Sequence, residues 1–185
     1  MAKLVSKVYG DALFSLALEE NKLDAIWDEV KAIREALKGN EDFLKVLCHP
    51  DMSQEKKWNV ITEVFKEALS EESMGFLNVM IRKGRIGELP SVLEYFDQKA
   101  KEYNKIGVVE VTTPIPLTDA QKEQVENKIL EVTEYETLEM DYQLKKELLG
   151  GMVIRIGDHV LDNSIKTKLD LMTRQLMNVK LSKES

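Results

Sequence analysis

Few residues of this chain have types and spacing suited to chemistry. Three glycines fall in LLGGMVIRIGDHVLDNSIKTKL, Leu148 to Leu169, and Cys48 stands beside His49. A phosphate-gripping loop follows a strand and opens directly into a helix, whose free amides then meet the anion. Gly150 and Gly151 instead precede the branched run Met152 to Ile156, and no Gly-Lys-Ser or Gly-Lys-Thr follows. The simpler reading is structural. The glycine pair lets the chain enter a sheet edge, and Gly157 with Asp158 turns it back through Val160 and Leu161, glycine supplying a positive φ. Cys48 and His49 would need a third, orienting group to act as a thiolate–imidazole pair; with Pro50 next, they read as a helix end. His159 stands beside a turn. No HExxH, CxxC or paired histidines support a zinc site, and the carboxylates sit beside lysines on helical faces, as solvated side chains do. These patterns predict no catalytic constellation, no metal and no cofactor.

Composition narrows the classes further. The chain has 185 residues, 43% hydrophobic and 32% charged, an ordinary foldable balance. A net charge of -7 argues against nucleic acid, which needs clustered Lys and Arg. One cysteine allows no internal disulfide and suits a reducing compartment. No apolar run approaches the roughly 20 residues that span a bilayer, so direct membrane insertion is not expected. The opening MAKLVSKVYGDALFSLALEEN lacks the layout of a cleavable signal.

The elements that would position any site fall into two halves. Up to about Tyr103 the apolar period is helical. Leu4, Val5, Val8, Tyr9, Ala12, Leu13, Leu16 and Ala17 form a first stripe that Asn21 ends. Further stripes follow at Leu23–Leu37, Phe43–Leu47, Trp58–Leu69, Phe76–Ile81 and Ile86–Tyr103, divided by Gly39-Asn40, Pro50, Ser70 and Gly84. After Asn104–Gly107 the period changes. Val108 to Leu117 reads as a strand, Thr118 caps a helix, and Leu138–Leu144 and Met152–Ile156 read as two more strands. Asp162 or Asn163 is expected to cap a last helix. The expected architecture is α+β: an N-terminal six-helix bundle over residues 1–105, then a small β-α-β-β-α domain over 106–185. Methionines such as Met80, beside Phe76 and Leu77, suit either core filling or an adaptable groove for a partner helix.

Across almost its whole length the chain resembles the delta subunit of bacterial F-type ATP synthases, the oligomycin-sensitivity-conferring protein family. The most specific match is Gly150, Gly151, Gly157, Asp158, Asp162, Ser164 and Leu169, on the family's GG-x-x-x-x-x-GD-x-x-x-D-x-S-x-x-x-x-L block. VYGDALFSLA, LCHPDMSQEKK, FLNVMIRKGRIGELPSVLEYF and VVEVTTPIPLTDAQ add to it. The family usually has alanine where this chain has Gly10, and glycine there is expected to weaken the first helix by roughly 0.5–1 kcal/mol.

The resemblance implies a non-catalytic stator part of a proton-translocating synthase, peripheral on the cytoplasmic face of the bacterial plasma membrane. It implies that the helical domain binds the N-terminal helices of the head's alpha subunits in a groove between the first and fifth helices. Carried over, the groove is Tyr9, Ala12, Leu13 and Leu16 opposite Phe76, Val79, Met80 and Lys83. Bundle core is the competing reading for each. It also implies that the second domain binds the b subunits of the stalk, for which Leu169, Met172, Leu176 and Leu181 are nominated. The alternatives are a helical adaptor with an unrelated partner, or a small enzyme with a site near Asn104–Gly107.

Overall fold

Apolar residues at three- and four-residue steps set the first hundred residues into helices. In a computed structural model, which describes residues 2–169 and 172, these are α1 (Ala2–Glu19), α2 (Leu23–Gly39), α3 (Glu41–Cys48), α4 (Gln54–Phe65), α5 (Glu71–Arg82) and α6 (Leu89–Tyr103). Their ends have local causes. Asn21 takes φ 53 and Gly84 φ 64. Beyond Gly84, the Arg85 amide reaches back to the Met80 carbonyl at 2.8 Å and the Gly84 amide to Ile81 at 2.9 Å, which satisfies carbonyls that the helix end leaves free. Ser53 and Ser70 cap α4 and α5 through hydroxyls that accept the amides of Lys56 and Ser73. Glu29 adds a long-range anchor: its carboxylate accepts the Ser70 amide at 2.9 Å and the Ser70 hydroxyl at 2.8 Å, fixing the start of α5 to α2.

The stripe expected to start at Ile86 is broken in two. A 3-10 turn, Ile86–Glu88, comes first, and α6 starts at Leu89. Pro90 explains the break, since a proline is tolerated in a first helical turn and not further in.

The chain divides into two compact units, Met1–Lys101 and Glu102–Ser185. The core of the first gathers Leu13, Phe14 and Ala17 with Ile26, Trp27, Val30 and Ile33, and with Leu77, Met80, Leu93 and Phe96, all buried. One charged group lies among them. Asp97, 5% exposed, accepts the Trp27 indole N–H at 2.8 Å and pairs with Arg34 at 2.7 Å and Lys101 at 3.0 Å. Burial is the largest influence on this carboxyl and opposes its charge. The Trp27, Lys101 and Arg34 donors together outweigh it and hold the pKa below the ordinary 3.8.

In the second unit β1 (Ile106–Thr113), α7 (Asp119–Val132), β2 (Thr137–Leu144), β3 (Val153–Ile156) and β4 (His159–Asp162) form a sheet ordered β2-β1-β3-β4, with a 3-10 turn at Lys146–Leu148. β1 runs parallel to β2 and antiparallel to β3, and β3 pairs antiparallel with β4. Thr118 and Gln121 cap α7 reciprocally. Alternation puts Val109 and Val111 on one face with their neighbours Met140, Tyr142, Ile154 and Ile156, where Ile129 and Val125 of α7 close the core.

The helix-rich first half and sheet-bearing second half agree with the α+β expectation, with three differences in the second. The sheet has four strands, because the turn at Gly157 (φ 56) opens a hairpin whose return is itself a strand. β1 stops at Thr113 rather than Leu117, since Pro114 and Pro116 have no amide to give a ladder. The cap before the helical residues 165–169 is Ser164, whose hydroxyl accepts the Thr167 amide at 3.2 Å. Asp162 supports it by accepting the Ser164 amide at 2.9 Å.

At Gly151, φ is 78 and an added Cβ would come within 2.3 Å of the Asn163 carbonyl oxygen, whereas Gly157 faces open space. Gly151→Ala is therefore expected to destabilise the second unit by about 3 kcal/mol, and Gly157→Ala by only about 1 kcal/mol; equal midpoints in urea melts would refute this. Asp97→Asn should cost about 3 kcal/mol at pH 7 by leaving Arg34 and Lys101 uncompensated. Since the folded carboxyl titrates below the unfolded one, its stabilisation is full above about pH 4 and is lost as pH falls through the folded pKa. The stability gap between wild type and Asp97→Asn should narrow over that acid range and nowhere above it.

Candidate functional site

α1 is apolar on two sides. Leu13, Phe14 and Ala17 face inward, while Leu4 and Val8, in line with exposed Ala12 at four-residue steps, are 68% and 57% exposed. The seat of α1 on α6 fixes this choice. Phe14 meets Phe96 edge to face with centroids 6.0 Å apart. The Tyr95 ring lies so close over Gly10 that a Cβ there would come within 2.4 Å of Tyr95 Cδ1. The Tyr95 hydroxyl donates to Asp11 at 3.1 Å, and the Lys99 ammonium pairs with the same carboxylate. That Lys99 bond is the main cause holding the Asp11 carboxyl below its ordinary pKa. Gly10 is therefore more than a weak point in a helix: it is the floor on which an aromatic ring rests.

α5 presents the second surface. Phe76, Val79 and Lys83 follow one another at three- and four-residue steps. Phe76 is half-buried, Val79 is 46% exposed and Lys83 is exposed. The Lys22–Glu72 ion pair joins the chain just past α1 to the first turn of α5, and the Lys22 hydrogen bond keeps the Glu72 carboxyl below its usual range. Both helices also pack on the turn at Ile86–Glu88. Of the nominated groove residues, Ala12, Val79 and Lys83 are exposed, and Tyr9, Leu16 and Phe76 are half-buried; Leu13 and Met80 lie in the core, 2% and 0% exposed. Leu4 and Val8, which were not nominated, extend the outward stripe of α1. Their signal was the four-residue spacing to Ala12. Such a surface can accept one apolar face of a helix.

In the second unit Leu169 and Met172 are exposed, and Ile165 joins them at helical spacing. Leu176 and Leu181 lie outside the described residues. Gly150 belongs to the same corner, where an added Cβ would strike the Ile165 side chain at 2.5 Å. Asp158 is exposed in the β3–β4 turn.

The groups singled out for chemistry are not brought together. The His49 Nδ1 accepts the Asp51 amide at 3.3 Å, and Cys48 lies against Gly87. His159 is exposed on the outer strand β4. Among the described residues no cluster of three or more His, Cys, Asp or Glu could hold a metal, and no helix is long and apolar enough to cross a membrane.

Residues 5–176 match the family model described as ATP synthase delta (OSCP) subunit. A protein of Lachnoclostridium phytofermentans called ATP synthase subunit delta is 41% identical over 181 residues, covering 98% of this chain and 100% of its own. One of the same name from Brevibacillus brevis is 35% identical over 175 residues, covering 95% and 99%. Among solved structures, a chain in the Toxoplasma gondii mitochondrial ATP synthase hexamer superposes with a TM-score of 0.74 over 93% of this chain and 97% of that one. Its 22% identity makes it a likeness of fold.

Helix propensity alone would make Gly10→Ala stabilising by about 0.5–1 kcal/mol. The approach of Tyr95 reverses the sign: Gly10→Ala should destabilise by about 1–3 kcal/mol, as overpacking does. Thermal melts of Gly10→Ala in the wild-type and Tyr95→Ala backgrounds check this, the penalty disappearing in the second.

Proposed function

This chain belongs to the ATP synthase delta (OSCP) subunit family, and on that premise we propose that its first unit clamps the catalytic head while its second holds the membrane-anchored stalk. As a member it is a non-catalytic, peripheral-stalk subunit of an F-type ATP synthase. The partners are the finer step. The alpha subunits of the head offer an amphipathic helix to Leu4, Val8 and Ala12 of α1 and to Phe76, Val79 and Lys83 of α5. The b subunits meet the exposed Leu169 and Met172, and Leu176 and Leu181 are nominated with them from the sequence alone. The assembly is proton-translocating and the subunit sits on the cytoplasmic face of the bacterial plasma membrane.

The observation that supports the first joint best is the outward apolar stripe of α1. Leu4 and Val8 are large aliphatic side chains left in water on a helix whose other side already fills a core. Large apolar side chains in line on an exposed helix face support an interaction site there. Function here is holding: the subunit must resist rotor torque, so contact stability matters and turnover does not.

Calorimetric titration into heads stripped of this subunit tests the reading. Tight one-to-one binding is expected, and Val79→Asp, which places an unpaired charge in the contact, should weaken it by about 3 kcal/mol without unfolding the chain. Unchanged affinity in a folded variant would remove Val79 from the site, and no binding by the wild type would overturn the head-clamping role. A fragment of residues 1–105 should melt cooperatively on its own and retain head binding; a fragment without a cooperative transition would refute the two-domain division.

A further inference from the structure

A cleft of about 360 Å³ opens between α2, α3 and α6, lined by Arg34, Leu37, Lys38, Leu44, Pro90 and Glu94. It is at the small end of ligand pockets, roughly 300–1,000 Å³, so it suits one or two inserted side chains. Leu37, Leu44 and Pro90 make it apolar. Its charged groups are divided by element: α2 brings Arg34 and Lys38 one turn apart, and α6 brings Glu94.

Arg34 is the informative member. Its side chain is 27% exposed, and one guanidinium nitrogen is held by Asp97 at 2.7 Å. That bond tethers one end of the fork, and no ion pair or hydrogen bond to another described residue engages its other N–H groups, which leaves donors at the cleft. Asp97 is already shared with Lys101 and Trp27, so it does not neutralise Arg34 alone. The pairing of Lys38 with Glu35 is exposed on both sides and weak. Glu94 is exposed and has no ion pair among the described residues.

We propose that this cleft is a second docking site, for a helical peptide segment that presents an acid, an aliphatic residue and a base along one face. The acid meets Arg34 and Lys38, the aliphatic side chain enters between Leu37, Leu44 and Pro90, and the base meets Glu94. The division of charge selects a peptide over an anionic lipid, because Glu94 repels a phosphate that Arg34 attracts. The proposal rests on the assembly role above but uses other helices than α1 and α5.

The test is a titration of the isotope-labelled full chain, followed by amide chemical shifts, with a helical peptide carrying Glu, Leu and Lys at i, i+4 and i+8. Shifts are expected on α2, α3 and α6. Glu94→Lys should weaken binding about tenfold, and a peptide with Glu in place of its Lys should restore it. Leu44→Glu should abolish the shifts while leaving the melt cooperative. Shifts confined to α1 and α5, no effect of Glu94→Lys, or the same shifts from phosphatidylglycerol vesicles would each overturn the proposal. Head binding is titrated on the same samples, so failure of the head-clamping role reads out separately from failure of the cleft.

Discussion

A helix that is apolar on two opposite sides can settle with either side inward, and the close approach of Tyr95 to Gly10 removes that freedom. Any side chain at position 10 would lift the ring, and with it the hydroxyl that, together with Lys99, holds Asp11. The aromatic contact between Phe14 and Phe96 then seats the buried side. What remains outward, Leu4, Val8 and Ala12, is outward because the other side is committed. The surface proposed for binding is thus a by-product of a packing constraint on the opposite side of the same helix. The same economy appears at Asp97, where one buried carboxylate ties α2 to α6 and also tethers the Arg34 fork at the cleft.

The second unit solves a different problem. A four-stranded sheet with α7 on its core face must turn sharply to bring β3 back against β1. The glycines do that by close approach. Gly151 passes the Asn163 backbone at a distance no side chain permits, whereas at Gly150 an added Cβ would meet the end of the Ile165 side chain, which can shift. Gly151 is thus needed where two stretches of backbone touch, and Gly157 where the β3–β4 turn takes a positive φ.

Much of this was legible in the residues. Ser53, Ser70 and Thr118 marked helix starts, and Asn21 and Gly84 marked ends, because these act within a few residues of themselves. The change of period after Gly107 separated helices from strands. The rest depended on partners far along the chain. Periodicity shows that Leu13 and Val8 both belong to stripes on α1, but only α6 decides which is inside, and so Leu13 and Met80 are core while Leu4 and Val8 face out. Gly10 looked like a lapse in propensity until Tyr95, which is distant in sequence, lay over it. Glu29 at Ser70 and the cleft of α2, α3 and α6 have no local signal at all. The fourth strand was implied by its own turn at Gly157, but a four-residue run is too short to declare itself by alternation.

The register of β1 has a consequence in time. Val109 needs Met140 on one side and Ile156 on the other before its ladder is complete. The helices of the first unit, by contrast, close mainly on bonds a few residues long. Local contacts form quickly and distant strand pairings slowly, and a chain emerges from the ribosome N-terminus first. The helical unit is therefore expected to gain structure while β3 is still being synthesised, so that a nascent subunit would acquire its outward α1 stripe before its sheet exists.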